Sequence, residues 1–166
     1  MIIRKPKVNE IHIYYEIALQ CSLESRIKEF DINKDYVMNN INAMMRGEYF
    51  YVVENEGVPV GWMAASKRSA SLYCDRLVLA VDSYQCNLKG RKAVTAMLDI
   101  HEHLYDYANT INVEMVLTGS VLNSKKTYNK ILKHEGWADY EFMLLKMTDK
   151  YQNNKIRRRV LTIAEK

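Results

Sequence analysis

The sequence is poor in the residues that interrupt regular secondary structure, and it has no long apolar run. Its 166 residues include only 6 Gly and 2 Pro, which argues against a linker-rich or disordered chain. The longest aliphatic run, Leu77–Val81, is far shorter than the roughly 20 residues that span a bilayer. The opening residues, Met1–Pro6, lack the apolar stretch of a secretory signal. We therefore expect neither a membrane span nor a signal peptide.

Cysteine is also scarce. The chain has three cysteines, Cys21, Cys74 and Cys86, at irregular spacing. Disulfide frameworks use even numbers of cysteines in regular patterns, so this set predicts reduced thiols in an intracellular, cytoplasmic protein.

The length fits one globular domain, and the 48% of hydrophobic residues suffice for a core. We predict one domain over residues 1–149 and a basic tail over 150–166. Six of the 24 Lys and Arg and one of the 20 acidic residues lie in this tail, so its net charge is +5 and that of the domain is −1. Nucleic-acid-binding domains usually carry their basic charge on the folded body. We interpret the tail as a solvated extension, with contact to nucleic acid or an acidic partner through Arg157–Arg159 as the alternative.

Apolar periodicity predicts the element order β-α-α-β-β-β-α-β-α-β. Asn9 is expected to cap the first helix. The second helix is expected to begin near Asp31 or Asn33 and to end at Gly47. Two strands follow, joined by a hairpin turn in which Gly57 supplies the positive φ.

The second half of the chain predicts a crossover connection. A strand over Leu72–Val81 leads through a polar loop, Asp82–Lys89, into a long amphipathic helix and a short strand, Val113–Leu117. Such a crossover makes the two strands parallel neighbours. A helix over Ser124–Lys133 and a strand over Tyr140–Met147 complete the chain. The predicted fold is α/β (α+β), a mixed and mostly antiparallel sheet with one splayed parallel pair and helices on both faces.

Short catalytic motifs are missing. The sequence contains neither Gly-x-x-x-x-Gly-Lys-Ser/Thr nor Gly-x-Gly-x-x-Gly. His101 and His103 stand two apart on a helix and point to different sides, so no metal site is predicted. Cys86 in the polar loop is interpreted as a bystander thiol, and most of the 12 tyrosines as core residues rather than base-stacking platforms.

Three segments together carry a family resemblance. Leu77–Asp82 is an apolar run that ends in Ala-Val-Asp, and Lys89–Leu98 follows as a basic, glycine-containing helix start. Asn123, Tyr128 and Gly136–Trp137 come later, in that order. With the element order, this pattern resembles the GCN5-related N-acetyltransferase (GNAT) family over nearly all of the predicted domain.

The resemblance implies acetyl-CoA as co-substrate and an amine as acceptor. In the family, backbone amides at the start of the crossover helix hold the diphosphate of coenzyme A. A bulge in the preceding strand opens a slot for the pantetheine arm. The implied cofactor-binding residues are Leu79, Ala80, Val81, Lys89, Gly90, Arg91, Lys92, Ala93, Val94 and Asn123.

The resemblance also implies two catalytic residues. Direct attack by an amine needs a base for the amine and an acid for the departing thiolate. Asp75, five residues before Ala80, is the implied base, acting through water, and Tyr128 is the implied acid. Strict counting from Gly136 places Leu132 at the family's tyrosine position, one helical turn after Tyr128 and on the same face.

The chain departs from the family at Lys92 and Val94, where small residues are preferred, and in a longer loop over Asp82–Lys89. Three functions therefore stay open. One is an acetyl-CoA-dependent N-acyltransferase, and the second is a catalytically inactive GNAT-fold structural or interaction protein, such as a phage virion or regulatory component. The third is a nucleic-acid-modifying relative that uses Arg157–Arg159. Apolar residues at strand ends allow a homodimer in each case.

Overall fold

A computed structural model of the chain describes residues 1–23, 32–71, 74–118, 125–140 and 143–147. Asn123 and the basic tail lie outside these residues. Internal contacts divide the chain into two compact units. Unit 1 contains Met1–Ser66 and Asp82–His103, and unit 2 contains Lys67–Val81 and Leu104–Lys166.

The order of elements matches the predicted one, except that the last predicted strand is a hairpin of two strands. The helices are α1 (Ile11–Leu23), α2 (Lys34–Met45), α3 (Gly90–Thr110) and α4 (Lys125–His134). The strands are β1 (Ile2–Arg4), β2 (Tyr49–Asn55), β3 (Val58–Ser71), β4 (Cys74–Cys86), β5 (Met115–Thr118), β6 (Ala138–Tyr140) and β7 (Met143–Met147). Strand pairing follows the order β1-β2-β3-β4-β5-β7-β6.

In unit 1, antiparallel strands β1, β2 and β3 carry one apolar core together with α1 and α2. The Phe50 ring stacks on Trp62 with centroids 5.2 Å apart. The indole nitrogen of Trp62 donates a hydrogen bond to the backbone oxygen of Tyr14 at 3.2 Å. Ile17 and Ile41, each 1% exposed, complete the contact between the helices and the strands. Aromatic burial therefore fixes both helices on this part of the sheet.

In unit 1, the predicted start of α2 and the predicted hairpin turn are confirmed. The Asn33 side chain accepts a hydrogen bond from the Tyr36 amide at 3.0 Å and caps α2. Glu56 and Gly57 both have positive φ, 53° and 81°, as a two-residue hairpin turn requires. The prediction for Asn9 is wrong. It lies within a 3₁₀ turn, Val8–Glu10, that precedes α1, and it does not cap the helix.

In unit 2, β4 and β5 form the predicted parallel pair, with Val78 opposite Met115 and Ala80 opposite Leu117. Strand β5 then pairs antiparallel with β7, and β7 with β6. Helix α4 ends at His134, close to the predicted end, and is followed by Gly136, whose φ is 85°. The following Trp137 amide donates back to the Leu132 oxygen at 3.1 Å. The predicted fold class, a mixed and mostly antiparallel sheet with one parallel pair, is confirmed.

The predicted polar loop over Asp82–Lys89 is wrong in most of its length. Strand β4 continues to Cys86, and only residues 87–89 connect it to α3. The Asn87 amide donates to the Val60 oxygen at 3.0 Å, so β3 holds this end of β4. Polar residues such as Asp82 and Gln85 can occupy a strand that is not fully buried. The loop is therefore short.

Candidate functional site

The first turn of α3 concentrates positive charge at a helix N-terminus. Lys89, Gly90, Arg91 and Lys92 are all exposed, and the turn contains no acidic residue. Gly90 has a φ of 60°, and apart from its chain neighbours and the backbone of its own helix no atom of the described residues lies within 4 Å of the place that a Cβ would take. The amides of this turn and the positive end of the helix dipole favour an anion. This arrangement can hold a phosphate group.

The two departures from the family pattern, Lys92 and Val94, lie outside the fully buried face of α3. The Lys92 side chain is exposed, and Ala93 and Val94 are half-buried. The fully buried face of α3 begins only at Ala96 and Met97. Within the described part of the chain, neither Arg91 nor Lys92 forms an ion pair. Exposed cations of this kind can pair with an anionic ligand.

Cys86 stands at the end of β4, not in a loop. Burial raises the pKa of its thiol, and hydrogen bonds with the Leu88 backbone and the Tyr84 side chain only partly oppose that rise. The Cys21 thiol donates to the Cys86 backbone oxygen at 3.3 Å. A thiol that stays protonated is a poor nucleophile, so the geometry agrees with a bystander role.

In unit 2, the parallel pair ends while one of its strands continues. Leu79 and Ala80 are fully buried, and Ala80 is the last residue of β4 with a partner in β5. Val81 follows as a half-buried residue, and β4 runs on to Cys86. Where a strand extends beyond the neighbouring strand, its backbone amides can form hydrogen bonds with a ligand. The predicted residues 79–81 therefore lie at the end of the parallel pair.

Helix α4 brings Tyr128 to the end of β5. The Tyr128 hydroxyl lies 2.9 Å from the Thr118 hydroxyl, and either oxygen can be the donor. Tyr128 is 7% exposed and Thr118 is completely buried. Burial raises the pKa of Tyr128 above its ordinary value, and the hydrogen bond with Thr118 opposes this rise. The phenol is therefore protonated at neutral pH. Leu132, the residue favoured by strict counting, is a buried core residue and carries no acidic group.

Two other predicted site residues are only partly located. The backbone of Asp75 lies in β4, but its side chain is outside the described part of the structure, as is the whole of Asn123. The predicted residues fall into two groups, residues 89–94 in unit 1 and residues 75, 79–81 and 128 in unit 2.

Sequence reasoning missed two polar residues of unit 2. Thr118 is one, and Asn129 beside Tyr128 is the other. The Asn129 side-chain oxygen is buried and has no hydrogen-bond partner among the described residues. A buried acceptor of this kind is costly and can be satisfied by a bound ligand. A threonine at the end of an apolar strand was the only sequence signal for Thr118.

The histidine pair diverges as predicted. His101 is buried and its Nδ1 lies 2.7 Å from the Met97 oxygen, and burial lowers the pKa of His101 to about 4. His103 Nδ1 lies instead 3.0 Å from the Tyr49 hydroxyl. Among the described residues, no three His, Cys, Asp or Glu side chains are placed to share a metal ion. None of the described helices is long and apolar enough to cross a bilayer.

Comparison with known proteins gives a fold and no close sequence relative. No family model matches the sequence, and no curated protein matches it. Among solved structures, apo FdhC, a nucleotide-linked sugar GNAT, has a TM-score of 0.68 at 15% identity, over 95% of this chain and 92% of its own.

Two N-acetyltransferases of ribosomal proteins show the same likeness. The ribosomal-protein-alanine N-acetyltransferase of Brucella melitensis has a TM-score of 0.63 at 13% identity, over 89% of this chain and 99% of its own. The ribosomal-protein-S18-alanine N-acetyltransferase of Escherichia coli has a TM-score of 0.62 at 10% identity, over 92% and 97%. The chain thus has the fold of the GCN5-related N-acetyltransferases.

Proposed function

We propose that the chain is an acyl-CoA-dependent N-acyltransferase that moves an acetyl group from acetyl-CoA to an amine by direct attack. The observation that carries this proposal is the first turn of α3. In a GNAT fold it combines an open, positive-φ Gly90 with three exposed cations and no acidic residue. That combination suits the diphosphate of coenzyme A, since amides and cations both favour an anion there.

The chemistry follows from the proposed roles. The amine nitrogen attacks the thioester carbonyl, a C–N bond forms, and the C–S bond breaks with its electron pair on sulfur. Asp75 takes the amine proton through water, and Tyr128 gives a proton to the sulfur. Amides of β4 beyond Ala80, the last residue paired with β5, polarise the carbonyl as an oxyanion hole does. The proton released by the amine returns to Tyr128 through solvent, so the reaction is balanced.

A protonated Tyr128 suits this acid role. Because burial raises its pKa, the phenol keeps its proton at neutral pH and has a proton to give when the C–S bond breaks. A small amine, a protein amine and a modified base are all chemically suitable acceptors.

One observation favours a second candidate, an inactive GNAT-fold interaction protein. Lys92 and Val94 stand where the family prefers small residues, and the loss of small residues there weakens the close approach of backbone to phosphate. A virion or regulatory component of a phage would be of this class. The third candidate, a nucleic-acid-modifying enzyme, depends on Arg157–Arg159, which lie outside the described residues.

Thermal unfolding in the presence of acetyl-CoA separates the candidates. Binding at one hundred times the dissociation constant stabilises a protein by about 2.7 kcal/mol. We expect acetyl-CoA to raise the melting temperature of the wild type. The rise should be smaller in a variant with Arg91→Ala and Lys92→Ala. Incubation with a panel of amines, with free coenzyme A measured by chromatography, then tests transfer. If millimolar acetyl-CoA leaves the melting temperature unchanged, the enzyme proposal is overturned in favour of the interaction protein.

The nucleic-acid candidate has its own test. Binding to duplex DNA through the tail weakens with salt at a slope of about −0.9 per phosphate contact in a log–log plot. Deletion of residues 150–166 would abolish such binding if the tail carries it. Unchanged binding after the deletion would remove the tail from this role.

A further inference from the structure

We propose that Thr118 is a positioning residue for acyl transfer, which donates a hydrogen bond to the phenol oxygen of Tyr128 and stabilises it when its proton leaves. This inference rests on the proposed function, because it assigns the proton of Tyr128 to the departing sulfur. It concerns unit 2 alone.

The position of Thr118 in the sheet supports this role. Thr118 is the last residue of β5, and it directly follows Leu117, the last residue of that strand that pairs with β4. On its other side it pairs with Leu144 of β7. The backbone of Thr118 is thereby held at the point where the parallel pair ends. Its β-branched side chain has few rotamers, so the hydroxyl has a defined place.

The contact itself is short and buried. The two hydroxyl oxygens are 2.9 Å apart, with Thr118 fully buried and Tyr128 7% exposed. A hydroxyl can donate one hydrogen bond and accept two, so the pair has two arrangements. In one, the Tyr128 hydroxyl donates its hydrogen bond to Thr118, so the phenol proton is not available to another acceptor. In the other, Thr118 donates, and Tyr128 keeps its proton for a different acceptor.

The chemistry of the site favours the second arrangement during turnover. When Tyr128 gives its proton to sulfur, its oxygen becomes a phenolate in buried surroundings, where an unsolvated charge is costly. A donated hydrogen bond stabilises the charged form. The hydrogen bond with Thr118 acts in this direction, since it opposes the burial-driven rise in the pKa of Tyr128. Thr118 replaces the water that would otherwise solvate the phenolate.

Four variants test the proposal through the turnover number, with acetyl-CoA and an accepted amine. Thr118→Val keeps the β-branched shape and removes the donor, and we expect kcat to fall roughly ten- to a hundredfold, the range for a hydrogen bond to a charged group. Thr118→Ser keeps the hydroxyl and should retain most of the activity. Tyr128→Phe should cost about 10²–10⁴-fold. The double variant Thr118→Val with Tyr128→Phe should be no slower than Tyr128→Phe alone, because Thr118 acts through Tyr128.

Two kinetic outcomes would overturn the proposal. One is an equal loss in Thr118→Val and Thr118→Ser, which would indicate that only packing matters. The other is a double variant slower than Tyr128→Phe by the full factor of Thr118→Val, which would indicate an effect independent of Tyr128. Urea unfolding of each variant checks that a loss of rate is not a loss of folded protein.

A measurement that needs no activity separates this inference from the proposed function. The NMR shift of the ring carbon that bears the hydroxyl reports hydrogen bonding to a tyrosine, and Tyr128→Phe identifies its signal in a labelled sample. We expect Thr118→Val to move this signal and Thr118→Ser to leave it nearly unchanged. If Thr118→Val moves the signal and Thr118→Ser does not, but no amine is acylated, then the hydrogen bond is confirmed and the transferase proposal fails. If Thr118→Val leaves the signal in place, Thr118 does not hold Tyr128 and the inference is overturned.

Discussion

Gly61 of β3 lies so close to Gln85 of β4 that a Cβ atom on Gly61 would be 2.8 Å from the Gln85 backbone oxygen and 3.3 Å from the Cβ of Cys86. The φ of Gly61 is not positive, so a side chain is excluded by space and not by backbone conformation. The neighbouring Val60 oxygen accepts the Asn87 amide. This close approach ties β3 to the end of β4, which only residues 87–89 separate from α3.

We expect Gly61→Ala to lower the free energy of unfolding by about 1–3 kcal/mol, the usual cost of forcing an extra carbon into a packed site. The atom that the new methyl would meet is backbone, which cannot move aside without breaking strand pairing. Urea unfolding followed by circular dichroism measures the change. A G61A variant as stable as the wild type would indicate that β3 and β4 are further apart than the structure places them.

Asn129→Leu should have the opposite effect. The buried side-chain oxygen of Asn129 has no hydrogen-bond partner in the part of the chain that the structure describes, and an unsatisfied buried acceptor costs about 1–3 kcal/mol. Replacement by leucine removes that cost and should raise the free energy of unfolding in the absence of ligand.

Asn40→Leu is the matched control for this change. Asn40 is exposed in the middle of α2, so the same substitution gives the same gain in helix propensity without removing a buried oxygen. A gain in N129L no larger than in N40L would contradict the prediction. A greater stability combined with weaker binding of acetyl-CoA would indicate that the Asn129 oxygen receives a donor from the ligand.

Features encoded by a few adjacent residues could be predicted from the sequence. The cap at Asn33, the turn at Glu56–Gly57 and the helix end at Gly136 each depend on the conformational preference of one or two residues. The end of β4 could not be predicted in this way. Whether Asp82–Cys86 forms a strand depends on pairing with residues of β3 about 25 positions earlier, and the polarity of the segment alone favours a loop.

The same distinction between local and long-range features applies to the candidate site. The basic first turn of α3 is contiguous in sequence, so its charge and its Gly90 could be predicted together. The contact of Tyr128 with Thr118 joins a helix to a strand ten positions away, and its geometry depends on how α4 packs. Asn129 gives no signal in the sequence, because a single asparagine on a helix is usually exposed.

Lys92→Glu should separate binding from stability. Lys92 lies in the first turn of α3, where the helix dipole disfavours a cation, and a glutamate there should raise the free energy of unfolding by about 0.3–1 kcal/mol. The same change places a negative charge beside the proposed diphosphate site. We expect the affinity for acetyl-CoA, measured by calorimetry, to fall roughly tenfold or more.

Lys34→Glu provides the matched control, because Lys34 is the exposed first residue of α2. It should keep the wild-type affinity, and its gain in stability from the dipole should be smaller, because the change removes a cation that lies 5.6 Å from the centre of the Tyr15 ring. Wild-type affinity in K92E would contradict a diphosphate site at the first turn of α3.

His101 should make the protein less stable as the pH falls from about 6.5 to about 4. His101 is completely buried, and burial lowers its pKa from 6.5 to about 4, although its ring nitrogen hydrogen-bonds the Met97 oxygen. Between these two values the unfolded chain takes up a proton that the folded protein does not, so acid favours unfolding. A shift of this size corresponds to roughly 3 kcal/mol, lost progressively across that pH window.

His101→Leu should remove this part of the pH dependence, because leucine fills the buried site and does not titrate. Urea unfolding at pH 7.5 and pH 4.5 measures the difference in stability for each variant. The matched control is His12→Gln on the exposed face of α1, which we expect to keep the wild-type dependence on pH. If H101L loses as much stability as the wild type between the two pH values, other groups carry the acid sensitivity and His101 is not protected from protonation by burial.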